Sequence, residues 1–224
     1  MTEDERTSSP ARYGLLLIAL IATYLLSAFT QTRWGGVIHV VFVTAVAVLA
    51  LWRTRPWPRL AWLAVGAGLV ASAVAAVGAG SSNATADGLA DAWNALLLLA
   101  SVIIIVDRVV RMDEVTIQSI YGALSAYLLI GLMFADWFGA IGFLASGPFF
   151  ADAQPVNTET LQYFSFTTLT TLGYGDFTAV GNVGRAVAVI EALTGQIFLA
   201  TLVARLVSAT RPRRRPPDKA DDDS

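Results

Sequence analysis

Polar side chains able to do chemistry are concentrated in one stretch of this chain. Residues 157–176 read Asn-Thr-Glu-Thr-Leu-Gln-Tyr-Phe-Ser-Phe-Thr-Thr-Leu-Thr-Thr-Leu-Gly-Tyr-Gly-Asp. Covalent chemistry has little to work with elsewhere. There is no Cys and a single His, His39. Thiolate metal sites, disulfides, cysteine nucleophiles, multi-histidine metal sites and Ser-His-Asp triads are excluded. No polar constellation joins a nucleophile to a base, so the expectation is no enzyme and no cofactor. The stretch itself predicts a short helix followed by irregular backbone. Asn157, just after Pro155, suits an N-cap, and Glu159 falls in the first turn, where a negative charge is favourable. The helix should end near Thr170, because Gly173 and Gly175 suit conformations that other residues avoid.

The elements that must position this stretch are apolar. Of the 224 residues, 55% are hydrophobic and only 14% charged, against about 25% charged in an ordinary soluble domain. The net charge of −2 gives no electrostatic ground for a nucleic-acid partner. The charges are segregated, leaving nearly uncharged spans at 13–29, 37–52, 60–80, 89–106, 115–138 and 183–207. About 20 apolar residues cross about 30 Å of hydrocarbon as a helix, and lipid admits no unpaired backbone. Trp34, Trp52, Trp57, Trp62, Trp93 and Trp137 all sit near span ends, where an amphipathic indole is favoured. The first span lacks a convincing cleavage site and is expected to be retained as a helix. With the N-terminus in the cytoplasm, all the basic residues except Arg33 and Arg185 fall inside, as lysine and arginine bias requires. The expected product is an all-α membrane protein. It has six transmembrane helices with a short re-entrant helix between helices five and six. It sits in the cell membrane, in contact with the lipid bilayer, with both termini cytoplasmic.

Residues 168–176, Thr-Leu-Thr-Thr-Leu-Gly-Tyr-Gly-Asp, resemble the selectivity-filter signature of the potassium channel family. The family form is Thr-Val-Gly-Tyr-Gly, and this chain has Thr171, Leu172, Gly173, Tyr174 and Gly175. Gly184-Arg185-Ala-Val-Ala-Val189 resembles the start of the family's inner helix, and the likeness covers roughly residues 115–207. It implies K+ ligation by the carbonyls of Thr171, Leu172, Gly173 and Tyr174 plus the Thr171 hydroxyl, with K+ as permeant ion. It makes the short re-entrant helix a pore helix, and it implies a homotetramer, because one chain supplies one filter segment. Tyr174 would pack against Tyr163, Phe164 or Phe166. Asp176 would brace the filter through Tyr163 and Thr167, which stand at the positions the family uses, although no carboxylate partner is present. On the inner helix the likeness places Gln196, Leu199 and Val203 toward the pore. Val203 and Val207, one turn apart near the cytoplasmic end, would form an apolar constriction. Gly195 is either a hinge or a close-packing position. Glu191, a costly carboxylate within a span, is a functional candidate by default; it lies five residues before Gln196, so it need not face the pore, and the alternative is a structural bond to the back of the short helix.

The domain reading is a tail at 1–12, a four-helix unit at 13–112, a pore domain at 113–208 and a basic, then acidic, tail at 209–224. The fourth span has no basic residue until Arg108. Voltage gating needs several charges in the field, each worth about 2.3 kcal/mol per 100 mV, so this is not a typical voltage sensor. The tail after Ser208 is too short for a folded ligand-binding domain. The expected activity is passive, selective K+ conduction. The alternatives are a weakly selective cation channel and a non-conducting membrane adaptor subunit.

Overall fold

A computed structural model describes residues 11–29, 83–111 and 115–209, with the single positions Gly66, Val70 and Ala73. The expected span at 37–52, that at 60–80 apart from those three positions, His39, and the residues after 209 lie outside the described residues. The described residues form, in order, α1 (Ala11–Phe29), α2 (Ala84–Val110), α3 (Ile117–Leu144), α4 (Thr158–Leu169) and α5 (Asn182–Ala209). Among the described residues the only β-pairing is one isolated antiparallel bridge, Phe150 to Ala179. Among the described residues three helices are long and apolar enough to cross a membrane: Ala84–Val110, Ile117–Leu144 and Asn182–Ser208. Within α1, Tyr13–Ala22 is a shorter apolar stretch.

Local chemistry explains the helix starts. Asn83 caps α2 by accepting from the Thr85 amide at 3.1 Å. Thr116 and Ser119 cap α3 reciprocally: each side-chain oxygen accepts from the other residue's amide. The end of α3 departs from expectation. The sequence ends this span at residue 138, before the glycines at 139 and 142, yet the helix continues to Leu144. Gly139 and Gly142 are contact positions instead. A β-carbon at 139 would strike the Asp91 carboxylate of α2, and one at 142 would press on Val156 and Phe149. Small residues that let helices approach are characteristic of membrane interfaces. The close approach outweighs the intrinsic cost of glycine in a helix.

Packing is organised around α3, which carries α2 along one side and contacts α1, α4 and α5. The core between α3, α4 and the connecting loops is aromatic. Phe138 is fully buried, with its ring 4.9 Å from Phe164 and 5.7 Å from Phe149. Phe150 continues the cluster to Phe149, Phe164 and Phe177. Most of these pairs are edge-to-face, the arrangement favoured by the ring quadrupoles. Phe138→Ala is expected to cost about 3–5 kcal/mol, as for other buried phenylalanine truncations. Thermal unfolding of the detergent-solubilised protein checks this.

By contrast, α5 is nearly bare. Its most apolar window is only 11% buried, and Val183, Val189, Ile190, Leu193, Ile197, Val203 and Val207 are all exposed.

Candidate functional site

The site is built on the end of α4. Asn157 accepts from the Thr160 amide at 2.9 Å, and the Thr160 hydroxyl accepts from the Asn157 amide at 3.1 Å. Glu159 lies in the first turn. At twelve residues the helix is about 18 Å long, too short to cross a bilayer. It terminates at Leu169 with Thr170 as C-cap, one residue from the expected end. The chain then folds back on the last turn. The amides of Leu172 and Gly173 both donate to the Thr167 carbonyl, at 2.8 and 3.1 Å.

Beyond that turn the backbone alternates in hand. Thr171, Gly173 and Gly175 have φ of 57°, 50° and 79°, with Leu172 and Tyr174 between them. Every second residue is thus in the left-handed region, which glycine occupies freely and threonine only at a cost. Residues 170–176 are all exposed. Leu172 and Tyr174 expose 54% and 69% of their surface, large values for an apolar and an aromatic side chain. Tyr174 makes none of the expected ring contacts within the chain. Phe177 occupies that place instead, 5.7 Å from Tyr163 and 5.1 Å from Phe150. Phe166 turns to the far side, where it meets Tyr24 of α1 at 5.0 Å and lies over Gly131.

The two expected braces behave differently. The Tyr163 hydroxyl donates to Asp176 Oδ2 at 2.8 Å. This bond, with smaller contributions from burial and neighbouring groups, pushes the phenol up to about 12, so it remains a donor throughout the physiological range. Thr167 does not reach Asp176. Its hydroxyl donates to the Phe164 carbonyl at 3.0 Å, the local back-bonding that a helical threonine readily makes. A second brace was not expected: Gln154 Nε2 donates to the Asp176 carbonyl at 3.0 Å. No spacing signal links residues 22 apart across a loop. Ala151 and Val180 amides donate to Thr178 and Phe149 carbonyls, both at 2.9 Å, and these bonds clip that loop to the extended segment after the glycines.

On α5, Gln196 reaches the base of the segment, and its Nε2 donates to Thr171 Oγ1 at 3.1 Å. Leu199, Val203 and Val207 follow along the helix, all exposed. Gly195 faces α4: a β-carbon there would collide with the Leu169 carbonyl and lie 2.9 Å from Leu169 Cδ1. Close packing is therefore its role in this structure. Glu191 and Ser165 are brought together behind α4, with Glu191 Oε1 2.5 Å from Ser165 Oγ. A carboxylate in mid-span was the sequence signal for this contact. The Ser165 partner carried none.

Residues 130–211 match a family model described as an ion channel. The match runs from the middle of α3 to the end of α5, so it takes in α4, the alternating segment and Gln196. No curated protein and no solved structure matches the chain. Similarity to an ion channel domain, joined to three helices of membrane-spanning length and composition, supports ion transport by a membrane protein.

The Tyr163–Asp176 bond gives a direct check on the segment. Tyr163→Phe keeps the ring against Phe177 and removes only the donor. Current through the variant is expected to decay several-fold faster during sustained opening than in the wild type. Single-channel recording measures this, and equal decay would show that the bond does not hold the segment.

Proposed function

We propose that this chain conducts K+ passively and selectively through a pore on the axis of a homotetramer. The reading is carried by one observation: positive φ at 171, 173 and 175 falls on the residues Thr-Leu-Gly-Tyr-Gly. Alternation of hand along a chain turns successive carbonyls to the same side. Four such segments around a shared axis form rings of carbonyl oxygens that replace the water a K+ ion sheds. Thr171 adds its hydroxyl at the inner end, where Gln196 supports it. The side chains of Leu172 and Tyr174 then point away from the axis. Their exposure in one chain fits burial against neighbouring copies.

The remaining parts fit the same reading. α4 is a re-entrant helix whose C-terminus aims at the central cavity. Each C-terminus carries about −0.5 charge, so four place about −2 opposite a partly dehydrated cation. The bare face of α5 lines the cavity and meets adjacent copies. Val203 and Val207 form an apolar ring near the cytoplasmic end that closes by dewetting. The fourth expected span, α2, carries Arg108 as its only basic residue, so the stimulus for opening is not a ladder of charges on this helix. The protein resides in the cell membrane with both termini in the cytoplasm.

Reversal potentials of the purified protein in planar bilayers test the proposal. Values following the K+ gradient alone are expected. Values following Na+ as well would make it a weakly selective cation pore. Absence of flux from intact tetramers would make it a non-conducting adaptor.

A further inference from the structure

Glu191 lies in the middle of α5 with no exposed surface. Its Oε1 is 2.5 Å from Ser165 Oγ of α4, and the same Ser165 Oγ is 2.6 Å from the Gly131 carbonyl of α3. Oxygens this close are joined by a proton. A serine hydroxyl donates one proton, and a backbone carbonyl donates none. Ser165 must spend its proton on Gly131, because Gly131 has none to offer. The proton between Ser165 and Glu191 therefore belongs to the glutamic acid. The remaining oxygen, Oε2, is buried without a hydrogen-bond partner. That is a modest cost for the carbonyl oxygen of a neutral acid and a severe one for a carboxylate. Among the described residues no Lys, Arg or His pairs with Glu191. The titratable side chain facing it is Tyr127 of α3, and its contact on α4 is Ser165.

We propose that Glu191 is held as a neutral carboxylic acid, and that its proton completes a clamp across three helices, from Glu191 through Ser165 to Gly131. The clamp fixes α4, and with it the segment 171–175, against α5 and α3. Glu191 is thus a positioning residue, and its consequence for conduction rests on the pore reading above. Its partner oxygen lies one turn before Leu169, so a shift of α4 at Ser165 is passed directly to Thr171. Alkaline pH that strips the proton leaves the single Ser165 hydrogen to serve both the buried Glu191 carboxylate and the Gly131 carbonyl, so one link of the clamp is lost.

The test uses the full chain in proteoliposomes with two readouts. Infrared difference spectra are expected to contain the C=O band of a protonated carboxylic acid at neutral pH that is absent from Glu191→Gln. In the same vesicles, Glu191→Gln, whose amide still donates to Ser165, should keep K+ flux near the wild-type value. Glu191→Ala and Ser165→Ala should each lose about tenfold, the size expected for unpairing one buried polar group. Wild-type flux should fall at the alkaline pH that removes the band, while Glu191→Gln is unaffected. That comparison stands even if the alanine variants fail to fold. A spectrum lacking the band, or alkaline loss equal in Glu191→Gln, overturns the clamp. The band without flux in any protein, wild type included, supports the clamp and rejects the pore. Flux without the band does the reverse.

Discussion

Gly173→Ala is expected to abolish K+-selective flux while leaving a folded, membrane-inserted protein. The reason is conformational, not steric. At φ +50° a β-carbon on residue 173 meets nothing within 4 Å in the chain, so the substitution creates no collision. It imposes the left-handed penalty of about 1–2 kcal/mol on each copy, or about 4–8 kcal/mol over four copies of one ring. The backbone relieves that strain by rotating, and rotation turns the carbonyls of the ring off the axis. Thr171 tolerates its own positive φ because its amide is held by the Thr168 carbonyl at 2.9 Å and its hydroxyl by the Thr170 carbonyl at 2.7 Å and Gln196. Residue 173 has a single amide bond, to the Thr167 carbonyl at 3.1 Å, and no side chain to hold it. K+-driven flux into liposomes, with size-exclusion chromatography for assembly, reads the result. A variant with wild-type flux and selectivity would reject the carbonyl-ring mechanism, because it would show that the backbone geometry at 173 is irrelevant.

Gly195→Ala is expected to destabilise the junction of α4 and α5 by about 1–3 kcal/mol, the usual cost of overpacking, and to reduce flux severely. The atom in the way is the Leu169 carbonyl oxygen. Being backbone, it cannot rotate aside as the tip of a side chain does. Relief requires α5 to retreat from α4, and Gln196, the next residue, then loses its hold on Thr171. A hinge role predicts something different: unchanged stability with a lower open probability, since alanine stiffens the helix without crowding it. Melting of the detergent-solubilised variant decides between them. An unshifted midpoint would remove the packing role.

The limits of α4 were legible because they are set within a few residues. Asn157 acts on an amide one turn away and Glu159 lies in the first turn, and the glycines at 173 and 175 mark their own positive φ. The Tyr163–Asp176 bond was reached through the family likeness, not through spacing. The extension of α3 past Gly139 was not legible. The glycines there look like a loop until Asp91 of α2 and Phe149 are seen filling the space beside them.

Composition and charge segregation by themselves determined that this is a helical membrane chain, and local motif chemistry located the backbone segment of alternating hand at 171–175, because lipid solvation and backbone conformation act over a single span or turn. Tertiary structure alone decided that Gly195 backs onto Leu169, that Thr167 turns away from Asp176, and that Glu191 meets Ser165 over Gly131. Those outcomes depend on the rotation of α4 and α5 about their own axes and their depth against α3. Contacts among residues far apart in the chain set both quantities, and a difference of one residue in register would exchange every partner.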